Sequence, residues 1–288
     1  MRGDQGRGEQ GDGRMERKVC LITGGNAGLG RATALGLARS GATVVLACRD
    51  GARGEAARRE VAAATGNDAV GLLVVDLSVQ RSVRDMAAAF AGKYGTLDLL
   101  INNAAVFTNR RTLTPDGLET MFATNHLGHF LLTNLLLDRL RAGAPGRVVA
   151  VTAPSTTRLD FDDLQGARRF SALTAFGASK MCNLLFTFEL ARRLAGTGVT
   201  ANAFHPGLVK SNLMRDAPAP VRWLSRLLAA SPERASEALV AFAASEEAGS
   251  STGKFYKGRK TIEADPYARD QDGQRRLWEA SAQLTGVG

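Results

Sequence analysis

Thr23-Gly24-Gly25-Asn26-Ala27-Gly28-Leu29-Gly30 closes an apolar run that begins at Lys18 and opens a helical pattern that reaches Ser40. A strand turning through glycines into a helix points backbone N–H groups and the positive helix end at one spot, which suits an anion. Glycine lets the backbone approach a pyrophosphate that a side chain would hold off. A purely structural turn can carry the same glycines, so the surrounding sequence has to decide.

Outward from this turn, short apolar runs alternate with longer amphipathic ones. Thr43–Cys48, Gly71–Val75, Leu97–Asn102, Arg147–Thr152, Val199–Phe204 and a short run at Lys254–Tyr256 read as further strands. Leu29–Ser40, Ala52–Thr65, Ser82–Tyr94, Gly117–Leu140, Phe176–Ala195 and Pro232–Ala244 read as helices. Such alternation predicts α/β architecture, a doubly wound parallel sheet (Rossmann fold) with right-handed crossovers. Gly41 and Gly95 stand just past two helices, where a left-handed cap residue is expected. No repeat or linker interrupts the pattern, so residues 15–288 are expected to form a single domain.

Bulk properties agree. Hydrophobic residues make up 44% of the 288 and aromatics only 6%, a core of Ala, Val and Leu that suits strands covered on both faces. Residues 1–14 are glycine-rich and charged, without an apolar signal core, and read as a disordered tail. No apolar run approaches the roughly 18 residues that span a bilayer, so a cytoplasmic protein is expected. The net charge of +9 comes from scattered arginines rather than a dense block, which reads as solvated surface and not as a nucleic-acid site. Cys20, Cys48 and Cys182 lie in apolar patterns without metal-like spacing, as reduced core residues. No metal site is expected.

With a strand before it and an α/β series behind it, the glycine turn predicts a dinucleotide site. At the end of the second strand an NAD binder would place an acid against the ribose hydroxyls, but Arg49 stands there. Arginine pairs with a 2′-phosphate, and Arg31 stands where it could assist, so the expected cofactor is NADP(H). Asp50 next to Arg49 weighs against this. Asp76-Leu77 closes the third strand, where a carboxylate can accept the adenine amino group.

From Arg17 to Gly286 the chain resembles the short-chain dehydrogenase/reductases. Residues 23–30 resemble that family's glycine motif, and Asn102-Asn103-Ala104-Ala105 its NNAG motif with Ala for Gly. His205-Pro206-Gly207-Leu208-Val209-Lys210-Ser211 is similar to the segment that contacts the nicotinamide end. The run 124–130, with His126 and His129, and the run from Ser179-Lys180 to Thr187 are most similar to the retinol-dehydrogenase-like branch. The two histidines are read as packing and helix-contact residues. The resemblance implies a cofactor site built from Gly24, Asn26, Ala27, Gly28, Leu29, Gly30, Arg49, Asp76, Leu77, Asn103, Ala104, Ala105, Lys180, Pro206, Gly207, Val209 and Ser211.

It also implies four chemical positions. A Tyr exchanges the substrate proton, and a Lys one helical turn on lowers its pKa and binds the nicotinamide ribose. A Ser steadies the substrate oxygen, and an Asn holds a relay water. Asn125 and Lys180 match the last-named Asn and the Lys, whereas the Tyr position is Phe176 and the Ser position falls on Ala153. Thr152 or Ser155 remains an alternative hydroxyl, and Tyr256 an alternative phenol. Phenylalanine gives no proton at any pH, so the expectation is atypical hydride transfer on a substrate needing no enzymic acid. Non-redox catalysis (a cyclase, dehydratase or isomerase) and a cofactor-binding pseudoenzyme stand as alternatives.

Two more expectations complete the reading. Phe130, Leu135, Leu136, Leu184 and Phe188 exceed what one buried stripe needs, and the resemblance implies a homodimer or homotetramer built on those two helices. The irregular stretch 211–231, with Trp223, Leu224, Leu227 and Leu228 rimmed by Arg215, Arg222 and Arg226, is expected to form a lid over a bulky apolar substrate.

Overall fold

The computed structural model describes residues 15–210, 213 and 229–287. The expected tail (1–14), Ser211 and the seven residues named for the lid lie outside the described residues. The first apolar run forms β1 (Val19–Thr23), and the glycine turn leads into α1 (Gly28–Arg39). β2 (Thr43–Cys48), α2 (Gly51–Thr65), β3 (Val70–Val74), α3 (Gln80–Lys93) and β4 (Leu99–Asn102) continue the alternation. After a helical region, β5 (Gly146–Val151) leads through a loop to the long α7 (Ala172–Arg193) and β6 (Val199–Phe204). α8 (Pro232–Ala243), α9 (Glu246–Ser250), β7 (Phe255–Lys257) and β8 (Lys260–Thr261) follow.

The strands form one sheet in the order β3-β2-β1-β4-β5-β6-β7-β8, parallel throughout except for the β7–β8 pair. The chain reverses direction of growth between β1 and β4. Open α/β sheets bind ligands at that switch point, beyond the carboxyl ends of the strands. On one face, Leu37, Val61, Leu239 and Phe242 of α1, α2 and α8 pack against alternate strand residues such as Ile22, Leu46 and Ile101. The opposite residues, among them Leu21, Val45 and Leu100, meet Phe90 of α3 and Phe186 of α7. Period-two alternation thus feeds both layers, as two-sided burial requires.

The structure departs from expectation where local chemistry overrides periodicity. The single helix expected over Gly117–Leu140 is four pieces: α4 (Thr120–Phe122), a π-helical turn (Ala123–Leu127), α5 (Gly128–Leu135) and α6 (Leu137–Ala142). Gly117 turns at φ +74°, and both carboxylate oxygens of Glu119 accept the Met121 and Phe122 N–H groups at 3.0 and 2.7 Å. Gly41 takes φ +80° as expected, but Gly95 is not left-handed, because α3 ends in extended backbone at Tyr94. α7 starts four residues early, since Ala172, Leu173 and Ala175 are good helix formers.

The sequence reading passed over a C-terminal helix, α10 (Gln271–Thr285), entered from a 3₁₀ turn at Pro266–Arg269. Asp270 caps it by accepting the Asp272 and Gly273 N–H groups. Trp278 packs its ring 4.9 Å from Phe130 and 5.9 Å from Phe186, and the Arg193 guanidinium lies 4.2 Å over its outer face. Each aromatic pair contributes about 0.5–1.5 kcal/mol beyond area burial. His126 Nε2 lies 2.8 Å from Ser281 Oγ, and Gln80 and Arg84 of α3 donate to the Leu284 and Thr285 carbonyls. Of the five residues named for the oligomer face, Phe130, Leu136 and Leu184 are fully buried within the chain, Phe188 nearly so, and Leu135 half-buried.

Among the described residues, no helix is long and apolar enough to cross a membrane, and no cluster of His, Cys, Asp and Glu could hold a metal ion. The three cysteines are free and buried.

Candidate active site

Most of the expected cofactor residues among the described ones lie in loops at the carboxyl ends of the strands, with Gly28, Leu29 and Gly30 in the first turn of α1, Asn125 in the π-helical turn, and Phe176 and Lys180 in α7. The glycine turn follows β1, Arg49 follows β2, Asp76 and Leu77 follow β3, and Asn103 to Ala105 follow β4. Ala153 follows β5, and Pro206, Gly207 and Val209 follow β6. The glycine loop and the β4 loop touch. A Cβ on Gly30 would stand 2.3 Å from the Gly24 carbonyl oxygen and 2.7 Å from Asn103 Nδ2. Gly24 takes φ +67°, and its N–H donates to the Ala47 carbonyl at 2.7 Å. No side chain caps α1 at Ala27, and its first turn holds no acid. Its leading N–H groups, around Gly28 and Leu29, therefore keep their capacity for an anion, with Asn26 half-buried beside them.

Beyond β2, Arg49 is exposed, and Asp50 is occupied as the α2 cap, accepting the Arg53 N–H at 3.0 Å. Arg31, expected to assist, is engaged by both oxygens of Glu60 at 2.6 and 2.7 Å. Both partners are partly exposed, and such pairs are worth about 0–1 kcal/mol, so an incoming phosphate can compete for Arg31. Asp76 spends one oxygen on the Ser78 N–H and hydroxyl. A Cβ on Gly128 would lie 2.3 Å from the Leu77 carbonyl oxygen, so glycine there lets α5 press against this loop.

The chemical residues converge on the π-helical turn and the start of α7. Asn125 is fully buried: its Oδ1 accepts the Val106 N–H at 2.7 Å, and its Nδ2 donates to the Val106 carbonyl and to Ser179 Oγ at 3.0 and 3.1 Å. Ser179 Oγ in turn donates to the Phe176 carbonyl. Lys180 is 7% exposed, and its ammonium lies 5.2 Å from the Phe176 ring centroid, one turn away. Burial pushes its pKa down to about 8. Among the described residues no carboxylate pairs with it.

The alternative hydroxyls are committed elsewhere. Thr152 donates to the Lys180 carbonyl at 3.1 Å, and Ser155 donates to the Gly177 carbonyl at 2.8 Å. Both pin the β5 loop to α7. The Tyr256 phenol is fully buried in the other layer, against Phe242, with its hydroxyl on Ser251 and Glu247. The sheet stands between it and Lys180.

Sequence reasoning missed the wall beside Lys180. Phe107 meets Phe176 edge-on at 5.6 Å, and Met121, Val106, Phe170 and Leu213 complete an apolar cluster with them. These residues come from the β4 loop, α4, the β5–α7 loop and the segment after β6, so no local period marks them. The flanks of that last segment are tied together, Val209 bridging to Ala230.

The model of the short chain dehydrogenase family matches residues 18–221. Retinol dehydrogenase 13 of Homo sapiens is 41% identical over 284 residues, 94% of this chain and 85% of that protein. Retinol dehydrogenase 12 of Mus musculus is 43% identical over 275 residues, 94% of this chain and 87% of that protein. Among solved structures, an uncharacterized protein from Mycobacterium paratuberculosis superposes with a TM-score of 0.75 at 34% identity, over 94% of both chains. A Pseudomonas aeruginosa RhlG/NADP complex shares the fold at 24% identity, with a TM-score of 0.69 over 86% of this chain and 97% of that one. Glycine loop, sheet order and these matches agree: the chain belongs to the short-chain dehydrogenase family.

Proposed function

We propose that the protein binds NADP(H) at the switch point and transfers hydride on an apolar small molecule that needs no acid from the enzyme. The observation that carries this is Lys180 facing a phenyl ring where the family's resemblance calls for a phenol. The cofactor cradle supports the first half: Gly24 and Gly30 leave room where a Cβ would collide, and the α1 N-terminus is uncapped. Arg49 would hold the 2′-phosphate, Asp76 the adenine amino group, and Lys180 the nicotinamide ribose.

When bound, the reduced nicotinamide supplies a hydride. The Phe107, Met121 and Phe176 wall would orient an apolar substrate and exclude water, and retinol, in the names of the relatives, is such a molecule. A protonated imine fits the missing acid, because hydride addition to its carbon neutralises it and leaves an amine. A conjugated alkene fits as well, taking its proton from water. Asn125, with both side-chain groups bound, would act as a fixed brace here.

NADPH should bind the natural protein and raise its unfolding temperature by mass action. With NADPH bound, a protonated cyclic imine should turn over faster than an aldehyde of similar size. Equal rates, or faster aldehyde reduction, would sink the proposal.

Assembly follows from α10. Because it covers much of the α5 and α7 face, we expect a monomer in light scattering at micromolar concentration, in place of the homodimer or homotetramer that the resemblance implies. A dimer mass abolished by a charged residue at Leu135, the half-buried member of that face, would show that the face is shared after all.

A further inference from the structure

We infer that His129 is a positioning residue, a hydrogen-bond link that fixes the turn carrying Asn125 to the glycine loop and the β4 loop. The inference rests on the proposed cofactor site and adds the part that aligns it.

His129 lies in α5 and is 2% exposed. Its Nε2 is 2.9 Å from Thr23 Oγ1, and its Nδ1 is 3.1 Å from the Asn125 carbonyl oxygen. Counting hydrogens settles the direction of both contacts. A threonine hydroxyl has one hydrogen and two acceptor positions. Thr23 Oγ1 already accepts the Asn103 N–H at 2.9 Å and the Ala104 N–H at 3.0 Å. A third hydrogen from the histidine would have no lone pair to meet. Nε2 is therefore bare, and the Thr23 hydroxyl donates to it in preference to the Ile101 carbonyl, which is farther at 3.3 Å. Nδ1 then carries the ring's only hydrogen and donates it to the Asn125 carbonyl. Burial holds the ring neutral, its pKa pushed down to about 4, which agrees with this count.

The result is a continuous chain. The Asn103 and Ala104 amides donate to Thr23, Thr23 donates to His129, and His129 donates to Asn125. Asn103 also returns to β1, its Nδ2 donating to the Thr23 carbonyl at 2.8 Å. The chain joins the last residue of β1, where the pyrophosphate turn begins, the loop after β4, and the π-helical turn whose Asn125 braces Val106 and Ser179. β1 and β4 are neighbouring strands whose following loops already touch, and the imidazole adds the π-helical turn to that pair. One imidazole, with a donor and an acceptor on opposite edges, spans the gap. His126, three residues earlier, points instead to Ser281 of α10. The two histidines thus have separate partners and separate tasks.

Paired substitutions test the link against simple packing. In His129→Asn the shorter amide stays near the Nδ1 position and can still serve Asn125, but cannot reach Thr23. In His129→Gln the longer amide reaches the Nε2 position and can accept from Thr23. His129→Phe keeps volume and loses both. Two readouts are needed: amide hydrogen exchange at Asn103 and Ala104 in the cofactor-free protein, and NADPH affinity by fluorescence titration. The link predicts at least tenfold faster exchange and at least tenfold weaker NADPH binding in the Asn and Phe variants. The Gln variant should stay within about threefold of the natural protein on both, because a displaced contact of this kind is felt through geometry rather than volume. Equal behaviour of Asn and Gln variants, with all three unfolding cooperatively, would overturn the link in favour of packing. Failure of the natural protein to bind NADPH would instead overturn the proposed function, while the exchange readout still decides the link.

Discussion

Phe176→Tyr combined with Ala153→Ser should create NADPH-dependent aldehyde reduction where the natural protein shows little. A positioned acid contributes typically about 10²- to 10⁴-fold, and the gain should fall in that range. The scaffold is already arranged. Position 176 lies one turn before Lys180, whose ammonium is 5.2 Å from the ring that would carry the hydroxyl. A lysine with a pKa of about 8 is still mostly charged at pH 7, so it can lower the new phenol's pKa. Asn125 and Ser179 hold the adjoining backbone and need no change. Both new hydroxyls act on one substrate oxygen, so the double variant should exceed the product of the singles. Steady-state NADPH oxidation measures it. Tyr256→Phe should leave the gained activity intact, since that phenol belongs to the other layer. A silent double variant that still binds NADPH would move the proposal to non-redox catalysis, and ordinary aldehyde reduction by the natural protein would refute the missing-acid argument.

The second large effect concerns cofactor choice. Arg49→Ala should weaken NADPH binding while leaving NADH binding unchanged. A charged hydrogen bond is worth about 1.5–3 kcal/mol, which corresponds to roughly ten- to a hundredfold in affinity. Arg49 is exposed, so the loss should shrink as salt rises. Glu60→Gln gives a complementary arm: it releases Arg31 from a carboxylate that holds it at 2.6 Å, and NADPH affinity should rise. Titration calorimetry with both cofactors decides the matter. An unchanged NADPH-to-NADH ratio in Arg49→Ala would remove the 2′-phosphate from that position.

Much of this molecule is legible in its sequence. The layers follow from alternation, because strands buried on both faces leave unbroken apolar runs such as Val44 to Ala47. The glycine turn was legible because only glycine fits the approach of Gly30 to Gly24. The region Gly117–Leu140 was not: a π-helical turn keeps helical composition and only shifts the register, which periodicity averages away. The helix at Gln271–Thr285 was passed over although Asp270, Leu277, Trp278, Ser281 and Gly286 give a cap, an apolar stripe and a stop. At the site, the positions of Phe176 and Lys180 came from the family resemblance, whose motif there is contiguous in the chain. The apolar wall and the occupation of Thr152, Ser155 and Arg31 by other partners depend on residues distant in sequence, so no linear motif contains them.

The docking of that C-terminal helix has a kinetic consequence. Gln80 and Arg84 reach it across separations of 204 and 201 residues, so these contacts join the two ends of the domain. Loop closure grows costlier with length, and contacts this non-local are made late in folding. A chain in which that helix has not seated lacks the Trp278 ring that packs on Phe130 and Phe186. Encounters between such molecules compete with closure at a rate set by their concentration. The yield of native protein is then expected to rise on dilution, because capture through that aromatic face is bimolecular and seating of the helix is not.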